Sequence, residues 1–164
     1  MMLSPTNAQA VARYTQQIGR LASWAKNLSK AQLIAPPTGQ YLGTWTIAQN
    51  IIHCLDGDLS ATHRMRRIVA EDVPLLIAYD ETRLAARLGC DHDDIDQACR
   101  LFDENRRFVA AWLNRLTDED FNRTAVHNQN GKVTLAQVVK TYSDHIDAHE
   151  KTVMIKRRML GAPV

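Results

Sequence analysis

The sequence predicts an all-α fold, a four-helix bundle with one long crossover between the second and third helices. Apolar residues recur at alternating spacings of three and four along four segments, which is the pattern of amphipathic helices. Glycine (7) and proline (5) are scarce, and aromatic residues make up only 6% of the chain. This composition argues against a turn-rich sandwich or barrel. We find no period-two run that would indicate a strand.

The first helix is predicted to begin at Ser4-Pro5, a cap residue followed by a proline in the first turn. One apolar stripe then predicts a continuous helix, and its members are Val11, Tyr14, Ile18, Leu21, Ala25 and Leu28.

Capping signals mark the other three helices. Thr46 to Gln49 form a capping box, in which hydroxyl and amide groups satisfy free backbone donors, and the second helix should end at Glu71 to Pro74. Asp94 is placed to cap the third helix. Thr134 to Gln137 form a second capping box, and the fourth helix should end near Gly161.

The connections between these helices are unequal. About fifteen residues join the first two helices and about twenty-three join the second to the third, which is long for a tight antiparallel hairpin. We expect the longer connection to contain a short helix from Asp80 to Leu88 and to run the length of the bundle. Asn130-Gly131 predicts a turn before the fourth helix.

Length and charge restrict the class of protein. A chain of 164 residues fits one domain. The net charge of +2 is too small to indicate a nucleic-acid or anionic-membrane partner. Three cysteines without a C-x-x-C pair favour a reducing compartment. The N-terminal segment has no signal-peptide pattern and the apolar runs are too short to span a bilayer, so we expect a cytoplasmic protein.

Three of the six histidines are the informative residues. His145 and His149 are four positions apart, so their rings leave the same face of the fourth helix. They lie on its inward stripe, which consists of Leu135, Val138, Tyr142, His145, His149 and Thr152. Burying two imidazoles is costly unless each finds a hydrogen-bond partner or a metal ion.

A histidine pair at this spacing can chelate a divalent ion, and His53 on the second helix is the candidate third ligand. Three histidines that leave a coordination position open are typical of a catalytic site. A second interpretation stays open at this point. With six histidines an H-x-x-x-H pair can arise by chance, and a single inward histidine is commonly a hydrogen-bonded core residue.

Three blocks of sequence carry a resemblance to a known family. They are GTWTIAQNIIHCLDGD, which contains Trp45, His53 and Asp56; AVHNQNGKVTL, which contains His127; and the stretch from Tyr142 through His145 to His149. In this order they resemble the DinB/YfiT-like family of metal-dependent hydrolases and thiol transferases.

The resemblance implies a single DinB-like four-helix-bundle domain over residues 1–164, with up-down-down-up connectivity. It also implies one divalent metal ion, with zinc and nickel the leading candidates, held by His53, His145 and His149. A homodimer is implied as well, together with a small-molecule substrate such as a low-molecular-weight thiol.

Other residues have two interpretations each. Asp56 either orients an imidazole or acts as a base, or it is a solvated helix residue. Tyr142 either lines the pocket or belongs to the core, and the role of His127 stays open. The basic cluster formed by Arg64, Arg66 and Arg67 is interpreted as a solvated face, with contact to an anionic substrate as the alternative. Lys156 to Arg158 suit the negative end of a helix dipole.

Two classes of function follow. The first is a metal-dependent hydrolase or low-molecular-weight-thiol S-transferase that uses the three-histidine site. The alternative is a non-catalytic metal-binding or stress-response bundle protein. A DNA-binding bundle is disfavoured by the near-neutral charge.

Overall fold

The computed structural model describes residues 3–38 and 43–162. Within these ranges the chain forms eight α-helices, a single 3₁₀ turn and a three-stranded sheet. In chain order the elements are α1 (Pro5–Gln16), α2 (Arg20–Ala25), α3 (Lys30–Leu33), α4 (Ile47–Ala70), β1 (Leu75–Leu76), α5 (Glu81–Leu88), the 3₁₀ turn (Cys90–His92), α6 (Ile95–Leu113), α7 (Asp118–Asn122), β2 (Thr124–His127), β3 (Gly131–Thr134) and α8 (Leu135–Met159).

The predicted four-helix bundle is confirmed, and it is built from α1 with α2, α4, α6 and α8. Side-chain contacts give the helix directions. The Thr62 hydroxyl bonds Asn105, and further along both helices the Arg66 guanidinium lies 5.6 Å from the Trp112 ring. Later residues of α4 therefore meet later residues of α6, so the two helices are parallel. The long crossover makes this possible, because parallel neighbours need a connection that spans the bundle.

The other helix pairs complete the up-down-down-up arrangement. Arg13 of α1 bonds Asp144, and Gln17 just beyond that helix bonds Asp147, so the first helical segment and α8 are parallel. Early residues of α4 instead meet late residues of α8, because Asn50 bonds His149 whereas Arg64 bonds Tyr142. α4 and α8 are therefore antiparallel, and both carry predicted metal ligands.

The predicted helix starts are confirmed. The Thr46 and Thr134 side chains each accept a hydrogen bond from the backbone three residues on, and the glutamine at that position bonds back. Asp94 caps α6 by accepting from the Gln97 N–H. Asp80 caps α5 in the same way, and the predicted short helix in the crossover is present.

The prediction of one continuous first helix was wrong. α1 ends at Gln16 and α2 begins at Arg20, because Gly19 between them adopts φ 84°, a left-handed conformation that costs glycine little. The Gly19 N–H donates to Asp103 Oδ1 at 2.7 Å, which ties the break to α6. The apolar stripe nevertheless continues across it, since Tyr14 and Leu21 are both buried.

Strands are present where the sequence indicated none. β1 pairs in parallel with β2, and β2 pairs antiparallel with β3. These strands have two to four residues, too few for a period-two pattern to emerge. The predicted turn at Asn130-Gly131 is confirmed as the link between β2 and β3, with Gly131 at φ 69°.

A polar layer divides the apolar core into two clusters. Met65, Val109 and Val139 represent one cluster, and Ile51, Phe102 and Ile146 represent the other. Between them lies a fully buried ion pair, in which Arg106 Nη2 is 2.9 Å from Asp58 Oδ1. Arg106 also donates to three further groups, which are Tyr14 O, Gln17 Oε1 and Tyr142 O.

No helix in the described part of the chain is both long enough and apolar enough to cross a membrane.

Candidate metal centre

The three predicted histidines converge between α4 and α8. One ring nitrogen from each of His53, His145 and His149 lies within 4.8 Å of the other two. His53 Nε2 and His145 Nε2 are 2.8 Å apart, a hydrogen bond in which one ring donates and the other accepts. The antiparallel packing of α4 against α8 is what brings residues so distant in sequence into one cluster.

Asn50 fixes the orientation of His149. Its Nδ2 donates to the Thr46 carbonyl at 2.7 Å, so its Oδ1 faces His149 Nδ1 at 2.9 Å. His149 Nδ1 must then carry the proton, which leaves the lone pair on Nε2. An outer hydrogen bond of this kind is typical of metal-binding histidines, where it sets the tautomer and holds the ring.

The cluster is electrostatically suited to a cation. Burial lowers the pKa of His53 to about 4, with a smaller effect of His149. Burial and the two neighbouring histidines lower the pKa of His145 to about 3. The pKa of His149 is lowered by burial and then by Lys156. All three rings are therefore neutral at pH 7, the form in which histidine binds a metal ion.

The donor set fits one divalent ion. Three neutral imidazoles on two rigid helices match the ligand count of catalytic zinc sites, and imidazole also suits nickel, copper and iron. All three cysteines are buried and free, and none belongs to a metal-ligand cluster of the described residues. A three-histidine site leaves room for water or substrate.

Two further residues border the cluster: Glu81, which no sequence pattern singled out, and Trp45, which belongs to the first of the three family-like blocks. Glu81, at the start of α5, places Oε2 3.8 Å from His53 Nε2, and its side chain is about half exposed. The Trp45 ring lies 4.6 Å from the His53 ring and stacks on His149 at 6.2 Å. Glu81 follows the cap residue Asp80, a position at which an acidic residue is explained by the helix dipole alone.

Tyr142 and Arg64 form the side of the site towards the sheet. The Tyr142 ring is buried and lies edge-on to His145, with centroids 6.3 Å apart. Arg64 donates to the Tyr142 hydroxyl and to the Ile77 carbonyl, both at 2.6 Å. Arg64 is therefore held against the crossover, whereas the sequence suggested a solvated face.

Asp56 and His127 lie in other surroundings. Asp56 is half-buried and lines a groove with Leu88, Asp93 and Gln97, and its pKa is raised by burial and by Asp93. His127 Nδ1 accepts from the backbone N–H groups of Gln129 and Asn130, both at 3.3 Å, which stabilises the turn after β2.

A pocket of about 360 Å³ opens beside the cluster. Its lining residues are Gly43, Thr44, Trp45, Asn50, Thr82, His149, Thr152 and Lys156. Lys156 and Arg157 lie in the last turn of α8, as the helix-dipole interpretation predicted. Both side chains are buried, and each donates to a tryptophan carbonyl of another segment, Trp45 O and Trp24 O respectively.

Comparison with known proteins gives a consistent result. The family model described as DinB superfamily matches residues 13–153. A Bacillus licheniformis protein named "putative metal-dependent hydrolase" is 26% identical over 86% of this chain and 79% of its own length. A Bacillus cereus protein with the same name is 24% identical over 96% of this chain and 91% of its own length. Two Oceanobacillus iheyensis proteins with similar names also match, and the aligned region spans 61% and 62% of their length.

A solved structure supports the fold. YfiT from Bacillus subtilis, described as a "probable metal-dependent hydrolase with an unusual four-helix bundle topology", superposes with a TM-score of 0.86. The match has 22% sequence identity and covers 95% of this chain and 88% of that one.

Proposed function

The chain belongs to the DinB superfamily, and from that premise we propose that it is a metal-dependent hydrolase whose single divalent ion is held by His53, His145 and His149. The observation that carries this proposal is the convergence on two helices of three neutral imidazoles, of which His53 is buried and the other two are partly buried. Zinc and nickel are the ions proposed for the site.

The bound ion would supply Lewis-acid chemistry, because it lowers the pKa of a water molecule or polarises a carbonyl. The chain's own residues do the rest. His149 is held by Asn50 so that its Nε2 faces the site. The Trp45 ring packs against His53 and the Tyr142 ring packs against His145, so both rings keep water away from the imidazoles. Less water at the site would strengthen the electrostatic attraction between a bound cation and its ligands.

Glu81 is the proposed general base. Its carboxylate lies next to the ligand cluster, 3.8 Å from His53 Nε2, and about half of its side chain is in contact with solvent. Oε2 takes the proton from the attacking nucleophile. The same step would deprotonate a low-molecular-weight thiol, so S-transfer to an electrophile uses the same residues.

Turnover assays separate the alternatives. We expect the zinc- or nickel-loaded protein to hydrolyse p-nitrophenyl acetate without added thiol, and the His149→Ala variant to lose this activity. Conjugation of cysteine to monochlorobimane without ester hydrolysis would instead identify a thiol transferase. Absence of both activities at full metal occupancy would support a non-catalytic metal-binding protein.

The Glu81→Gln variant tests the base. It should keep the metal ion but lose a factor of about 10² or more in rate. Glu104→Gln, which changes an exposed glutamate of α6, is the matched control. An unchanged rate for Glu81→Gln would remove Glu81 from the mechanism.

A further inference from the structure

Lys156 is a buried cation that faces the pocket beside the histidines. Only 4% of the residue is exposed, and its Nζ donates to the Trp45 carbonyl. An ammonium group has three donors, so this bond leaves donor capacity on Nζ. In the described part of the chain, no carboxylate lies within ion-pair distance of it.

Two other cations of the bundle are paired with carboxylates, whereas the buried Arg157 has no carboxylate partner among the described residues and donates to the Trp24 carbonyl. Arg106, which is also buried, meets Asp58 at 2.9 Å. On the surface Arg13 pairs with Asp144. A buried charge without a counter-ion is costly, and proteins ordinarily pair it or use it.

The pocket wall around Lys156 is suited to an anion. Of the described residues that line it, none is acidic, and three are threonines, Thr44, Thr82 and Thr152. Threonine hydroxyls donate to carboxylate or phosphate oxygens. His149 and Asn50 belong to the same wall, so a molecule in this pocket also reaches the metal centre.

We propose that Lys156 binds an anionic oxygen group, a carboxylate or a phosphate, on the molecule that reacts at the three-histidine site. Because this inference concerns the substrate of the three-histidine site, it rests on the function proposed above. The anion would supply the missing counter-ion of Lys156 and would hold the reacting part of the substrate next to His149.

Anion binding to the metal-free protein provides the test, since an anion cannot then bind through a metal ion. Succinate and inorganic phosphate are titrated calorimetrically, with neutral succinamide as the control ligand. We expect at least one anion to bind wild type, succinamide not to bind, and Lys156→Gln to weaken anion binding at least about tenfold. Whichever of succinate and phosphate binds more tightly identifies the class of group.

Lys151→Gln is the matched control variant, because Lys151 is an exposed lysine on the same helix. It should bind anions like wild type. Equal binding by Lys156→Gln and wild type, or no binding of either anion to wild type, would overturn the proposal.

A second measurement needs no variant. Acetylation of Lys156 by acetic anhydride, followed by mass spectrometry, should be slowed by the bound anion and unaffected by succinamide. Equal labelling with and without anion would contradict the proposal even if Lys156→Gln failed to fold.

Metal binding is measured separately, and Lys156→Gln should retain it. Failure of wild type to bind metal would overturn the proposed function and leave the anion result standing.

Discussion

Asn50 Oδ1 accepts a hydrogen bond from His149 Nδ1 across 2.9 Å, and this contact joins the first turn of α4 to the middle of α8. Asn50 is itself fixed by the Thr46 carbonyl, which belongs to the residue that caps α4. The start of one helix therefore determines which nitrogen of His149 is free to bind a metal ion.

Removal of the Asn50 side chain should weaken metal binding without unfolding the bundle. In Asn50→Ala the His149 ring can rotate and change tautomer, so the affinity for zinc should fall roughly 10- to 100-fold. Competition with a chromophoric chelator measures this affinity. Asn114→Ala is the control, because Asn114 bonds only within α6. Wild-type affinity in Asn50→Ala would show that the contact does not position the ligand.

Gly57 gives His145 the space that its ring occupies. A Cβ at this position would lie 3.3 Å from His145 Cε1 and 3.7 Å from the Tyr79 hydroxyl. We expect Gly57→Ala to reduce zinc affinity roughly tenfold by displacing the ring. Its stability should change little, since alanine favours the helix by about 1 kcal/mol and offsets the crowding. Chelator competition and thermal melts on the same sample test both statements, and full affinity would contradict the first.

The stability of the metal-free protein should fall as the pH falls below 6.5. His53 and His145 have folded-state pKa values of about 4 and 3, whereas an unfolded histidine titrates near pH 6.5. Below that pH the unfolded chain binds more protons, so stability is lost until the folded rings are also protonated.

Near pH 5.5 His53 and His145 should each contribute a slope of about 1.2 kcal/mol per pH unit. Urea unfolding between about pH 7 and pH 5 measures the slope. His145→Gln should reduce this slope. Identical slopes for wild type and His145→Gln would contradict the assigned cause.

The ion pair between Arg106 and Asp58 should be essential to the bundle. Arg106→Met leaves a buried carboxylate without its partner and should cost about 3–5 kcal/mol of unfolding free energy. Arg107→Met, one residue along at an exposed site, should cost less than about 1 kcal/mol. Urea denaturation compares the two variants, and similar losses would show that the polar layer does not stabilise the fold.

Local signals explain what the sequence predicted well. Each capping box, at Thr46 and Thr134, involves four consecutive residues, so its geometry is encoded within one turn. The spacing of His145 and His149 places their rings on one face by helix geometry alone. The candidate third ligand, His53, was taken from the second helix, and the family resemblance implied the same residue.

Long-range contacts explain what the sequence did not reveal. Asn50 and Glu81 acquire their roles only when α8 and the crossover pack against α4. A signal was nevertheless present, because Asn50 lies three residues before His53 and thus on the same side of the helix. Lys156 was assigned to a helix dipole because the sequence does not show that its side chain is buried and donates to the Trp45 carbonyl. Gly19 lay inside an apolar stripe that continues across the break.

The metal content of the protein tests whether His53, His145 and His149 hold one divalent ion. Mass spectrometry of the untagged protein, before and after loading with zinc or nickel, is compared with the His145→Ala/His149→Ala variant. We expect about one ion per chain in wild type and none in the folded double variant. No bound metal in wild type even after loading, or equal content in both proteins, would contradict this expectation.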